Sequence, residues 1–173
     1  MQYELECELS NLLSKPEFDP YHQVFDRWDM PYRIRVALLS AIYPIEKFLD
    51  ANRQVIRERK QATTESKHES TVRNRSLKAF QLSVGMGRVL YESGQKTTWK
   101  MGGPSYVRVA IWQFIKCKVV INTRRVAGEK LEGLRSLYAS LPDALNGDQR
   151  VMKVSSRFIR QLFRDLVNEV VTK

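Results

Sequence analysis

Lys153, Arg157, Arg160 and Arg164 recur at spacings of four, three and four residues in the run KVSSRFIRQLFRDLVNEVV (153–171). At roughly 100° per residue they fall within about 60° of one another on a helix, over about 16 Å of its axis. A single file of Lys and Arg suits one chemistry, the binding of phosphate oxygens by charge-assisted hydrogen bonds. The opposite side carries Phe158, Ile159, Leu162, Phe163, Leu166 and Val170, the apolar face of an amphipathic helix. A helix that needs only solubility interleaves Glu with Lys, because like charges at i,i+4 repel. Here Asp165 and Glu169 sit to one side of the stripe. A polyanion would relieve the repulsion; a solvated face, or an acidic patch on a partner protein, is the competing reading.

Three more groups could bind phosphate. Arg53, Arg57 and Lys60 repeat the four-three spacing at the end of a second helical pattern, where they would equally complement the helix dipole. Lys96, Trp99 and Lys100 lie in GQKTTWKMGGP (94–104), a loop by composition. Two charges, two threonine hydroxyls, a flat aromatic and flexible glycines suit a sequence-tolerant contact with an unpaired strand, since every base has a face to stack on. Trp99 could instead tuck into the core and pin that loop. Arg124 and Arg125 follow an apolar segment and could sit at a surface rim.

Catalytic chemistry finds no such grouping. His22 and His68 have no second His, Cys or Asp at metal-ligand spacing. No Walker-type loop, GxSxG, HExxH or paired-carboxylate motif occurs. Gly85-Met86-Gly87 is a lone GxG without a preceding strand, expected to let two helices approach closely. Cys7 and Cys117 are too few for a disulfide scaffold and read as reduced thiols, Cys117 packed in the core. The expectation is a non-enzymatic chain with no cofactor, metal or small-molecule substrate.

Charge points to the same partner. The chain carries +10 with a pI near 9.8. Residues 1–31 hold seven acids and two bases, a net −5, so the remainder carries +15. A basic body with an acidic leader fits nucleic acid, the leader covering a basic surface or docking a basic neighbour. The N-terminus MQYELECELSNLL is acidic where a secretory signal is basic. The longest charge-free apolar run, Val36 to Ile45, is too short to span a bilayer. No membrane association is expected, and a cytoplasmic location follows by elimination.

These residues need elements to hold them. A length of 173 residues and 43% hydrophobic content suit one domain, residues 1–173, with an acidic leader and connector (1–31) and a basic helical body (32–173). Periodicity predicts helices over Glu4–Leu13, Tyr32–Lys60 kinked or split at Pro44, Leu77–Tyr91, Ser105–Asn122, Glu129–Leu141 and the final stripe-bearing segment. Ser155 or Ser156 is a candidate cap for the last, although the stripe favours an earlier start. Residues 14–31 read as an irregular connector, because of Pro16, Pro20 and Pro31, held down by Phe18, Tyr21, Phe25 and Trp28. Residues 61–76 read as a mobile polar loop. Ser105–Asn122 is β-branched enough for a strand, but no convincing partner strand exists, so a buried central helix is preferred. The expected fold is all-α, a compact bundle of about five to seven helices.

Lys and Arg spread over about three turns track a backbone better than they read base edges. A non-specific guide for a strand or heteroduplex is therefore favoured. A helix-turn-helix regulator is the alternative within nucleic acids, and a helical scaffold docking acidic proteins the alternative outside them. In size, charge and helix layout, and in segments such as SKPEFDPYHQVFDRWDMPYRIRVALL and SSRFIRQLFRDLVNEV, the chain resembles the small subunits of CRISPR effector complexes, in particular the type I-D Cascade small subunit made from the C-terminal part of the large-subunit gene. That resemblance implies copies stacked in a ribonucleoprotein filament, lining the path of target or displaced DNA and stabilising the R-loop without cleavage. It also implies contacts with a second copy or other subunits of the complex, for which the acidic residues 1–31 are candidates.

Overall fold

A computed structural model describes residues 11–60, 71–94, 96–121 and 127–171. The expected helix 4–10, most of the polar loop (61–70), Cys7, His68, Arg124 and Arg125 lie outside the described residues.

The chain folds around its last helix, labelled α6 here (Gly147–Val171). Asn146 starts it with a reciprocal cap: its Oδ1 accepts from Gln149 N–H at 2.9 Å, and Gln149 Oε1 accepts from Asn146 N–H at 3.1 Å. Ser155 and Ser156 are therefore interior rather than caps, and their hydroxyls donate to the carbonyls of Val151 and Met152. One face of α6 buries Val151, Val154, Phe158, Ile159, Leu162, Phe163 and Leu166.

The proline-rich stretch before residue 31 is helical after all. Pro16 and Pro20 sit in the first turns of a 3-10 turn (Pro16–Phe18) and of α1 (Asp19–Arg27), where a missing N–H costs nothing. The aromatic anchors hold as expected. Tyr21, Phe25 and Trp28 are buried, and the Trp28 ring meets Phe158 of α6 edge-on at 5.0 Å.

The long helix expected over Tyr32–Lys60 is replaced by several elements. α2 (Tyr32–Ile42) stops because Pro44 holds Tyr43 extended, with ψ 139°. A 3-10 turn follows (Ile45–Phe48). Asp50 Oδ1 then accepts from Asn52 and Gln54 N–H, a local turn that competes with helix. The chain leaves it as β1 (Arg57–Lys60), antiparallel to β2 (Thr71–Asn74) with Arg57 opposite Asn74.

α3 (Arg75–Ser83) is capped by Asn74, whose Oδ1 accepts from Leu77 N–H at 2.8 Å. It ends at Gly85, where φ is +75° and the Met86 N–H reaches back to the Gln81 carbonyl, a Schellman closure. A close approach occurs at Gly85, where a Cβ would lie 2.3 Å from the Pro104 carbonyl oxygen, but it is not the expected packing of two helices, since Gly87 opens a strand. The expected helix to Tyr91 and loop 94–104 are instead a hairpin, β3 (Gly87–Ser93) and β4 (Lys96–Gly102), in register from Gly87–Gly102 to Ser93–Lys96. Gly94 takes the left-handed φ, +57°, that tight hairpin turns need.

The described part of the expected Ser105–Asn122 helix is helical: α4 (Ser105–Ile115) runs on as a π-helical segment (Lys116–Ile121). Its burial is one-sided, with Val107, Ile111, Phe114, Ile115 and Val119 inward and Tyr106, Val109 and Ile121 exposed. Cys117, expected in the core, is exposed because it sits two residues from both Ile115 and Val119, on the other side. α5 (Glu129–Ser140) follows, ending ahead of Pro142. Helices α1, α3, α4 and α5 all pack on α6. The described fold is thus mostly helical, with two small antiparallel sheets in place of the expected all-α bundle.

Two outcomes follow from this core. Phe158 lies between Trp28 and Phe114, so Phe158→Ala is expected to cost about 3–5 kcal/mol in urea unfolding. Tyr21 is buried and its hydroxyl accepts from Ile45 N–H at 2.8 Å. Burial pushes its pKa from 10.0 up to about 12, so the core holds the neutral phenol. That stabilisation is complete below pH 10 and is lost as pH rises towards 12. Tyr21→Phe should be the less stable protein at pH 7, since it orphans Ile45 N–H, and its deficit should shrink between pH 10 and 12. A constant deficit across that window would contradict the buried neutral phenol.

Candidate nucleic-acid interface

The outer face of α6 presents Lys153, Arg157, Arg160 and Arg164, all exposed. None of the four has a hydrogen bond or ion pair with another described residue. Two of the three acids on the same helix are used elsewhere; the third, the exposed Asp148 in its first turn, shares a cleft with Lys153. Asp165 accepts from Trp28 Nε1 at 2.8 Å and pairs with Lys130, and Glu169 pairs with Arg27. Two of the leader's four described acids are likewise engaged within the chain: Asp26 pairs with Arg35 at 2.7 Å and Asp29 with Lys118. The stripe is therefore an uncompensated row of cations, with like charges at i,i+3 and i,i+4 that cost the helix roughly 0.2–0.5 kcal/mol per pair.

The stripe's N-terminal end meets the β3–β4 hairpin. Lys153 lines a cleft of about 490 Å3 together with Arg88, Met101, Gln149 and Met152. Arg88 and Met101 are directly paired across the hairpin, and Leu90 and Trp99 are the next pair but one, on the same face. Trp99 is 64% exposed, which overturns its possible role as a core anchor. Lys100 turns to the other face, where its ammonium lies 3.8 Å from the centre of the Tyr91 ring. Trp99 and Lys100 thus do not act from one face, because neighbours on a strand point opposite ways. Lys96 opposes Ser93 beside the turn.

Arg88 also lines a second cleft, of about 370 Å3, between α3 and the hairpin, with Arg75, Lys78, Leu82, Leu90 and Trp99. Arg88 and Lys78 were not legible as site residues. The available signal was the alternation on each side of Gly94-Gln95, RVLYES against KTTWKM, which marks a hairpin once the turn is recognised.

The Arg53, Arg57 and Lys60 group does not survive as a helix face. Arg53 sits in a turn with φ +60° and pairs with Glu46 at 3.0 Å. Arg57 is exposed on β1, and Lys60 ends that strand opposite Thr71. On β1 the alternation places Arg57 with Arg59 instead. Arg124 and Arg125 lie outside the described residues. His22 Nε2 is hydrogen bonded to the Leu13 carbonyl at 2.9 Å, and among the described residues no group of three His, Cys, Asp or Glu side chains could hold a metal ion. Among the described residues no helix is long and apolar enough to cross a membrane.

What the arrangement can do chemically is hold a row of anions along about 16 Å of α6, with an exposed aromatic on the hairpin that borders Lys153. In comparisons with known proteins, no family model matches this chain, and neither a curated protein nor a solved structure does.

Proposed function

We propose that this protein is a non-catalytic, sequence-tolerant nucleic-acid-binding protein that grips a strand by its phosphates along α6. The observation that carries the reading is the exposed row of Lys153, Arg157, Arg160 and Arg164, without a described acidic partner while Asp165 and Glu169 face inward. A solvated face would gain from neutralisation by those acids, yet both are spent on Lys130, Trp28 and Arg27. The four cations are spread over about three turns of α6, a geometry that follows a phosphate backbone better than it presents side chains to base edges as a helix-turn-helix regulator does.

The biological setting we propose is a CRISPR ribonucleoprotein effector, with this chain as its small subunit, guiding target or displaced DNA and stabilising the R-loop. Its support is the resemblance in size, basic charge and largely helical build. Purification of the protein with a guide RNA and larger subunits would bear this out. A lone dimer that selects a palindrome would instead favour the regulator.

The phosphate grip predicts its own salt dependence. Four neutralised phosphates give a log–log slope of binding against salt of about −3 to −4. Reversing Arg157→Glu and Arg160→Glu together should weaken binding to every sequence alike and lower that slope by about 2 or more. Both side chains are exposed, so the variant should remain folded by circular dichroism. Unchanged affinity in a folded double variant would remove the reading.

A further inference from the structure

The cleft between α3 and the β3–β4 hairpin has a chemistry distinct from the stripe. Its wall is apolar, formed by Ala79, Leu82, Leu90 and the exposed Trp99. Its rim is basic: Lys78 and Arg88 have no described partner, whereas Arg75 is paired with Glu58 at 2.8 Å. No acid lines it. We propose that this cleft receives one unpaired base of a bound single strand, stacked on Trp99, with the flanking phosphates on Lys78 and Arg88. The inference deepens the phosphate grip on α6 and rests on it, because it names the strand state that the combined surface prefers.

Three observations converge on a base rather than on general stickiness. An apolar wall under a cationic rim without acids matches the two halves of a nucleotide, a flat π-face and an anionic link. Continuity is the second: Arg88 borders both this cleft and the one that contains Lys153, so a strand leaving Trp99 is led onto the α6 stripe. The third is preorganisation. Gly87 and Gly102 face each other at the hairpin root, and a Cβ on either would come within 2.8 Å of Leu82. Glycine at both places lets the hairpin seat on α3, which holds Trp99 at a fixed distance from the helix. The volume of about 370 Å3 lies within the range of small-molecule sites, roughly 300–1,000 Å3. A paired base can enter only by unpairing and unstacking, so a single strand is the preferred ligand.

The experiment compares a ten-nucleotide dT strand with an abasic strand of the same length, which keeps the phosphates and lacks the bases. The full chain should bind dT more tightly by roughly 5- to 150-fold, the range that base–aromatic stacking supplies. Trp99→Ala should bring both strands to the abasic affinity, and Trp99→Phe, which keeps an aromatic face, should retain most of the preference. A second readout uses the unmodified protein: dT should quench tryptophan fluorescence, the abasic strand should not, and the quenching should vanish in Trp99→Phe. Trp28 is buried and unchanged in that comparison. Equal affinity of the unmodified protein for the two strands, or a full preference surviving in Trp99→Ala, overturns the base-binding cleft and leaves the α6 grip standing. Failure to bind either strand overturns both.

Discussion

Burial of one face of α6 is the constraint on which the rest of the structure depends. Val151, Val154, Phe158, Ile159, Leu162, Phe163 and Leu166 are withdrawn from water along a helix of 25 residues. Each such side chain contributes roughly 1.5–3 kcal/mol when fully buried, far more than the like-charge repulsion on the opposite face costs. The helix can therefore tolerate an uncompensated basic row. Its neighbours are placed by what they offer this face: Trp28 from the end of α1, Phe114 from α4 and Phe80 from α3.

The same packing sorts the charges. Trp28 brings an indole N–H into the core and needs an acceptor, because a buried donor without one is costly. Asp165 supplies it and is shared with Lys130, whose ammonium also lies 5.1 Å from the centre of the Trp28 ring. Glu169 is drawn one turn further along towards Arg27. Asp165 and Glu169 are thus engaged on the inner side, and the outer face from Lys153 to Arg164 is left with one sign of charge. The surface suited to an anion is a by-product of how the inner face is satisfied.

The hairpin adds what a helix face alone lacks. A strand pair can hold an aromatic side chain out in solvent on a rigid support, whereas a loop of the same composition would lose entropy on binding. Trp99 opposite Leu90 and Arg88 opposite Met101 form one face, and the glycines at the root fix that face against α3. The exposed cations of α6 and the exposed Trp99 come from segments about fifty residues apart in sequence.

Much of the helical build could be read from the chain, because a 3.6-residue hydrophobic period is a local property. The stripe of α6 and the segment Glu129–Ser140 follow from spacing, whereas Tyr21, Phe25 and Trp28 were marked as inward by residue type and the helix at Ser105–Ile115 by the lack of a partner strand. The split of the Tyr32–Lys60 pattern was marked by Pro44, yet its continuation as a strand was not. Arg57–Lys60 is RERK, without apolar alternation, and it pairs through backbone hydrogen bonds that no side-chain period reports. The β3–β4 hairpin was hidden for a related reason: its two sides are half-exposed, so burial imposes only a weak pattern on them. The exposure of Trp99 and Cys117, the separation of Trp99 from Lys100, and the meeting of Arg88 with Lys153 are decided by tertiary structure alone. Each depends on which face an element turns towards distant residues, and local sequence determines the period of a face but not its partner.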